Sequence, residues 1–175
     1  MADVISTAML AATLALNPMT TSLKSKSELQ CLTIAMAQEA RSRSRAARKA
    51  IGYATRNRVE HSSLFAETFC GVVKQPYQYS WVKNPQRDRT IDDDVWSQIV
   101  SDGVTILTAP GKDPTRGATH WCRREEVGSV DWCKPKKALA TIDGFYFLAP
   151  DGVDKPVAPG SRTPRAKPPT EIASR

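Results

Sequence analysis

The chain has 175 residues, 41% of them hydrophobic, which is enough for one domain with a proper core and too apolar for a disordered protein. Its formal charge of +7 and pI of about 9.4 imply an anionic partner, whether nucleic acid, a membrane surface or an acidic bacterial envelope, and charge alone does not choose among them. Four cysteines, Cys31, Cys70, Cys122 and Cys133, are too few and too scattered for a disulfide scaffold, so most are expected to be reduced and buried.

Met1 to Leu16 is apolar from Val4 on, but Asp3 stands where a signal peptide carries Lys or Arg, and no convincing cleavage site follows. The run is also short and rich in Ala and Thr for a membrane span. Residues 1–28 are therefore read as a helical extension packed on the domain, with export or membrane tethering as the alternative. In the next segment, Leu32, Ala35 and Met36 recur at helical spacing, and the same stripe continues to Glu39. A carboxyl on an apolar stripe is either neutralised by a partner or kept for chemistry, because desolvation makes it a proton donor near neutral pH. Arg41, the nearest candidate partner, is two positions on and so not on the same face. From the residues alone, a structural ion pair is the default.

A second helix is expected from Ser44 to Val59, with Ala47, Ala50, Ile51 and Ala54 inward, Asn57 on the same stripe, and Arg45, Arg48, Lys49 and Arg56 outward. A third should start at Ser62 or Ser63 and bury Leu64, Phe65, Thr68, Phe69 and Val72, with Gln75-Pro76 ending it. Tyr77 to Trp81 alternates and is aromatic, so it reads as a short strand or hairpin arm, and Lys83 to Thr90 as a loop. Asp92, Asp93 and Asp94 suit a helix start better than a metal site, with Val95, Trp96, Ile99, Val100, Val104 and Leu107 as the apolar face that follows. Ala109 to Gly117 is dense in turn formers, and Ala118–Trp121 and Thr141–Leu148 look extended. Residues 151–175, rich in Pro and basic, read as a disordered tail. The expected class is α+β and mostly helical, with a small sheet.

Four blocks in order carry a resemblance: Glu39-Ala-Arg41; Ala50-Ile-Gly52 with Asn57-Arg-Val59; Cys70-Gly-Val-Val73 with Gln75-Pro-Tyr-Gln-Tyr-Ser-Trp81; and Asp113-Pro-Thr-Arg-Gly-Ala-Thr-His120. On these, residues 29–148 resemble the SleB-type cell-wall hydrolases, a group of spore-cortex-lytic enzymes and related phage lysis proteins. The resemblance implies a lysozyme-like fold over residues 29–150, a sheet lining a glycan cleft, and cleavage of the β-1,4 bond between N-acetylmuramic acid and N-acetylglucosamine. The family's catalytic acid belongs to a Gly-Glu-Ala-Arg-Gly-Glu motif, whose first glutamate matches Glu39; Gln38, Ser42 and Arg43 replace the two glycines and the second glutamate.

Glycosidases commonly set two carboxyl groups across the scissile bond. Here one stands in a strong motif. Glu67, Asp88 and Asp113 are the alternatives for a second, the first on the outer side of its helix and the others in loops. The expectation is a single-acid lytic transglycosylase giving 1,6-anhydromuramic ends, with a hydrolytic muramidase as the alternative. Gln78, Tyr79 and Ser80 are expected to line the groove from the sheet, and Trp81 or Trp121 to stack a sugar or pack in the core. Asn57 is a candidate to orient Glu39 or to bond a helix end, and Thr119 and His120 are expected beside the cleft. The reaction needs neither metal nor cofactor. Zinc at His120, Cys122 and Cys133 lacks paired Cys-x-x-Cys spacing, and a Cys122–Cys133 disulfide is favoured over it if the protein works outside the cytoplasm.

The expected partner is bacterial peptidoglycan, reached by a monomer whose basic tail contacts the anionic envelope. The expected setting is a phage-encoded enzyme acting on the wall from the periplasm. Two rivals stand beside this reading. One is a nucleic-acid-binding protein built on the Arg41–Arg58 basic run, which no recognised motif accompanies; the other is a non-catalytic glycan-binding module.

Overall fold

The computed structural model describes residues 27–83 and 91–149. Nearly all of the expected amino-terminal extension, most of the 83–90 loop including Asp88, and the basic tail lie outside the described residues. Helix α1, Glu28–Ala40, opens on a capping box in which the Ser27 hydroxyl accepts from Gln30 N and the Gln30 side chain accepts from Ser27 N. Leu32, Ala35 and Met36 are buried along it, as their spacing predicts. Helix α2, Arg45–Glu60, is capped by Ser44 and buries Ala47, Ala50, Ile51 and Ala54. After the short α3, Phe69–Lys74, helix α4 spans Asp93–Thr108, and the Asp92 carboxylate accepts from Asp94 N and Val95 N. The three acids are thus helix-start residues.

Helices α1, α2 and α4 pack closely around one apolar core containing Leu32, Met36, Ile99 and Ile106. Gly52 makes the approach possible, since a Cβ there would lie 2.6 Å from Ile106 Cδ1 and 3.0 Å from Met36 Sδ. The Ala-rich face of α2 meets a second cluster under the sheet, centred on Phe145 and Phe147. Strands β1 (His120–Arg123), β2 (Ala140–Ile142) and β3 (Phe145–Leu148) form an antiparallel sheet in the order β1-β3-β2, with His120 opposite Leu148 and Ile142 opposite Phe145. The 141–148 segment is therefore a hairpin. Asp143 and Gly144 turn it at φ of 46° and 79°, and Asp143 Oδ2 accepts from Ser44 N at 2.7 Å, which ties the turn to the start of α2.

Four expectations need correction. The third helix starts at Phe69 rather than at Ser62 or Ser63: Leu64 N and Phe65 N bond back to His61 O in a separate turn, and Glu28 of α1 accepts from Phe69 N. Thr68 is its exposed cap, and Leu64 is 49% exposed instead of buried. Arg48 is buried rather than outward, its guanidinium donating to Arg43 O. Tyr77–Trp81 is no strand, because Tyr77 takes φ 66° and Ser80–Lys83 winds into a 3₁₀ turn. The cysteines are not reduced: Cys31 is bonded to Cys70, joining α1 to α3, and Cys122 to Cys133, closing the segment after β1.

Candidate active site

The carboxyl end of α1 opens onto a cleft of about 870 Å³ that β1 and the segment closed by Cys122–Cys133 also line. Glu39 sits at this end, one residue before the helix stops, and its carboxylate lines the cleft. Indole N–H groups hold both of its oxygens: Trp81 Nε1 donates to Oε1 at 3.0 Å and Trp121 Nε1 to Oε2 at 3.3 Å. From β1, Arg123 Nη2 donates to the Glu39 backbone carbonyl at 3.2 Å, which satisfies one of the orphan acceptors of the helix end and fixes the residue's position. Burial pushes the Glu39 carboxyl above the ordinary carboxylate range. The Trp121 hydrogen bond, the charges of Arg123 and Arg58, and the Trp81 hydrogen bond pull the other way without cancelling it. Arg41 is not among these causes.

Three aromatic rings form the floor behind Glu39. Tyr79 lies edge-on to Trp81 with centroids 5.7 Å apart and tilted to Trp121 at 5.8 Å. Its hydroxyl shares a hydrogen bond with Thr55 at 2.9 Å, and burial raises its pKa. Tyr79 is therefore part of the wall rather than its surface, while Gln78 and Ser80 on either side of it line the cleft. They do so from the turn and 3₁₀ segment, not from the sheet. His120 also lines the cleft, its Nδ1 sharing a hydrogen bond with Thr119 Oγ1 at 2.9 Å. Thr119 itself is fully buried.

Asn57 does not reach Glu39 and does not bond a helix end. Its amide donates to Asp113 Oδ2 at 3.0 Å, Thr115 Oγ1 at 3.2 Å and Ala118 O at 2.9 Å. Asp113 in turn accepts from Thr115 N and Gly117 N, so this carboxylate organises the loop that delivers β1. Glu67 is exposed on the turn before α3. The carboxylates that do join Glu39 in the cleft are Glu126 and Asp131, together with Trp132, 44% exposed, and Lys134. All four lie in or beside the segment between Cys122 and Cys133, and no periodicity in the sequence marks them. Arg58 was also missed, although it falls four residues after Ala54 on the inward stripe of α2.

The Arg41–Arg58 run is largely engaged within the domain. Arg45 Nε and Nη2 each donate to Asp102 at 2.9 Å, Arg56 pairs with Glu60, and Arg48 and Arg58 are buried. Among the described residues no group of three His, Cys, Asp or Glu side chains comes together as a metal site, and Cys122 and Cys133 are bonded to each other.

A mostly helical domain with one shielded acid in a polar, aromatic-floored cleft has the build of a glycosidase. The chain belongs to the family described as Cell Wall Hydrolase, which matches residues 42–148 and so covers the cleft walls but begins after Glu39. Its activity is peptidoglycan lysis. Among solved structures, the catalytic domain of the germination-specific lytic transglycosylase SleB from Bacillus anthracis is similar, with a TM-score of 0.54 at 22% identity over 71% of this chain and 98% of that one. That likeness is one of fold, and it makes the α+β domain lysozyme-like. No curated protein matches the chain.

Proposed function

We propose that the protein cleaves the β-1,4 bond between N-acetylmuramic acid and N-acetylglucosamine as a lytic transglycosylase, with Glu39 as its acid and then its base. The observation that carries the reading is the indole-held, desolvated carboxyl at the cleft, poised above the ordinary carboxylate range. Protonated Glu39 gives its proton to the glycosidic oxygen as the bond to the muramic anomeric carbon breaks. The resulting carboxylate takes the proton of the C6 hydroxyl as that oxygen attacks the same carbon, closing the 1,6-anhydro ring. Gln78, Ser80 and His120, which line the cleft, hold the glycan in this reading. Trp81 and Trp121 serve the acid, and Asn57, Tyr79 and Thr119 support the wall.

Purified peptidoglycan should be solubilised by the wild type and not by Glu39→Gln, with products one water lighter than hydrolytic ends. A hydrolytic muramidase is the second reading, favoured by Glu126, a second carboxylate lining the cleft and a candidate to activate a water. Its signature is full-mass products and loss of activity in Glu126→Gln. The engagement of the basic run inside the domain favours either enzyme over a nucleic-acid binder. Two disulfides suit action outside the reducing cytoplasm, and the charge of +7 suits an anionic envelope. Both support a periplasmic site of action, proposed here as host-wall lysis by a phage-encoded monomer.

A further inference from the structure

The reading of Glu39 leaves a buried charge on the cleft, Arg58, without a role. Arg58 is 4% exposed, yet it is among the residues that bound the cleft. Its guanidinium lies 4.3 Å from the centroid of the Trp121 ring, 5.2 Å from Tyr79 and 5.4 Å from Phe65. Its Nε donates to Thr119 O at 2.6 Å, and Nη1 has no hydrogen-bond partner. A desolvated guanidinium with an unsatisfied donor is costly, and cation–π contact with three rings offsets only part of that cost. The bond to Thr119 O and the contact with Tyr79 explain part of its placement, but neither uses the unpartnered Nη1 or needs a full positive charge.

We propose that Arg58 is a counter-charge of the site: a fixed guanidinium, packed on the indole that holds Glu39, which stabilises the carboxylate Glu39 becomes when its proton leaves. The inference rests on the assignment of Glu39 as the acid. Its physical content is differential. A fixed cation behind the acid does little for the neutral carboxyl and much for the charge that develops in the transition state, and in a shielded site that attraction is weakly screened. Planarity matters as well as charge, because only a flat fork can lie on the Trp121 face while its edge reaches Thr119 O.

The other charged and titratable groups around Glu39 are Arg123 from β1 and Tyr79 from the turn segment, with His120, Glu126 and Asp131 farther along the cleft. Arg123, which engages the Glu39 backbone carbonyl, is a second positive charge that favours the carboxylate; Arg58 is the one stacked on the Trp121 indole.

The test compares Arg58→Met and Arg58→Lys with the wild type in two measurements: muropeptide release from purified peptidoglycan against pH, and direct titration of the Glu39 carboxyl by carbon-13 NMR. Arg58→Met should move the Glu39 titration and the alkaline limb of activity to higher pH, and lower kcat on the order of a hundredfold. Arg58→Lys should leave the titration nearer to that of the wild type while kcat still falls, because the charge survives and the stacking does not. A Glu39 titration that stays put in Arg58→Met overturns the proposal. So does an Arg58→Lys enzyme with the wild-type rate, which also decides the matter if the Met variant does not fold. Because the NMR titration reads the Arg58–Glu39 coupling without the reaction, a Glu39→Gln protein that still lyses walls would sink the functional reading alone.

Discussion

Replacing Trp81 by Phe removes one atom that matters. The ring that replaces the indole keeps its place beside Tyr79, but the N–H that donates to Glu39 Oε1 at 3.0 Å is gone. A hydrogen bond to a charged group contributes about 1.5–3 kcal/mol, which at about 1.4 kcal/mol per decade is a ten- to hundredfold effect. The sign follows from the donor. An indole N–H can only donate, so it favours the carboxylate over the acid, and its loss should raise the already elevated pKa of Glu39 further. An enzyme whose acid must be protonated loses activity as pH rises through that pKa, so Trp81→Phe should keep its reduced activity to higher pH than the wild type. Turbidity loss of purified peptidoglycan, followed across pH with circular dichroism confirming the fold, measures both effects. A lower plateau with an alkaline limb that stays fixed or moves down would refute the argument and return Trp81 to sugar stacking.

Reduction should cost stability at both disulfides. Chain entropy assigns about 4 kcal/mol to Cys31–Cys70, with 39 residues of separation, and about 3 kcal/mol to Cys122–Cys133, with 11; melting of the Cys31→Ala/Cys70→Ala and Cys122→Ala/Cys133→Ala proteins should rank them so. The second pair should also lose activity beyond its stability cost, read as kcat/KM below the melting range, since it closes a wall of the cleft. Gly52→Ala should destabilise by about 1–3 kcal/mol in chemical denaturation, because its Cβ collides with Ile106 and Met36. Asn57→Ala should lower both stability and kcat by releasing the 113–118 loop, with the pH profile of the remaining activity unchanged because Asn57 does not touch Glu39.

The helical frame was legible in the sequence because its signals are local. Ser44 and Asp92 cap the helices expected to start there, and the stripes from Leu32 to Glu39 and from Ala47 to Asn57 point inward. Misreadings fall where a distant contact overrides a local preference. Alternating aromatics at 77–81 imitate a strand, but Tyr79 is held by Thr55 and Trp81 by Glu39, and those partners impose a turn. Arg48 follows the outward spacing yet is buried against Arg43 O. Of the two disulfides, Cys122–Cys133 was among the sequence expectations and Cys31–Cys70 was not, because Cys31 and Cys70 become neighbours only once α1 and α3 pack.

Two indoles at the cleft are turned toward a carboxyl. Rings expected either to stack a sugar or to pack in the core donate hydrogen bonds to Glu39, and the exposed rings that line the cleft are Tyr77, in a turn, and Trp132, from a segment with no helical or strand pattern. This arrangement has a physical logic. A carboxyl in the role proposed for Glu39, first acid and then base, needs surroundings dry enough to raise its pKa and polar enough to tolerate its charge between the two steps. Indole supplies both, since its ring excludes water and its one N–H accepts no proton in return. A carboxamide or hydroxyl in either position would bring an acceptor able to bind the acidic proton and stall its transfer, so Trp81 and Trp121 suit the chemistry in a way that Gln or Tyr would not.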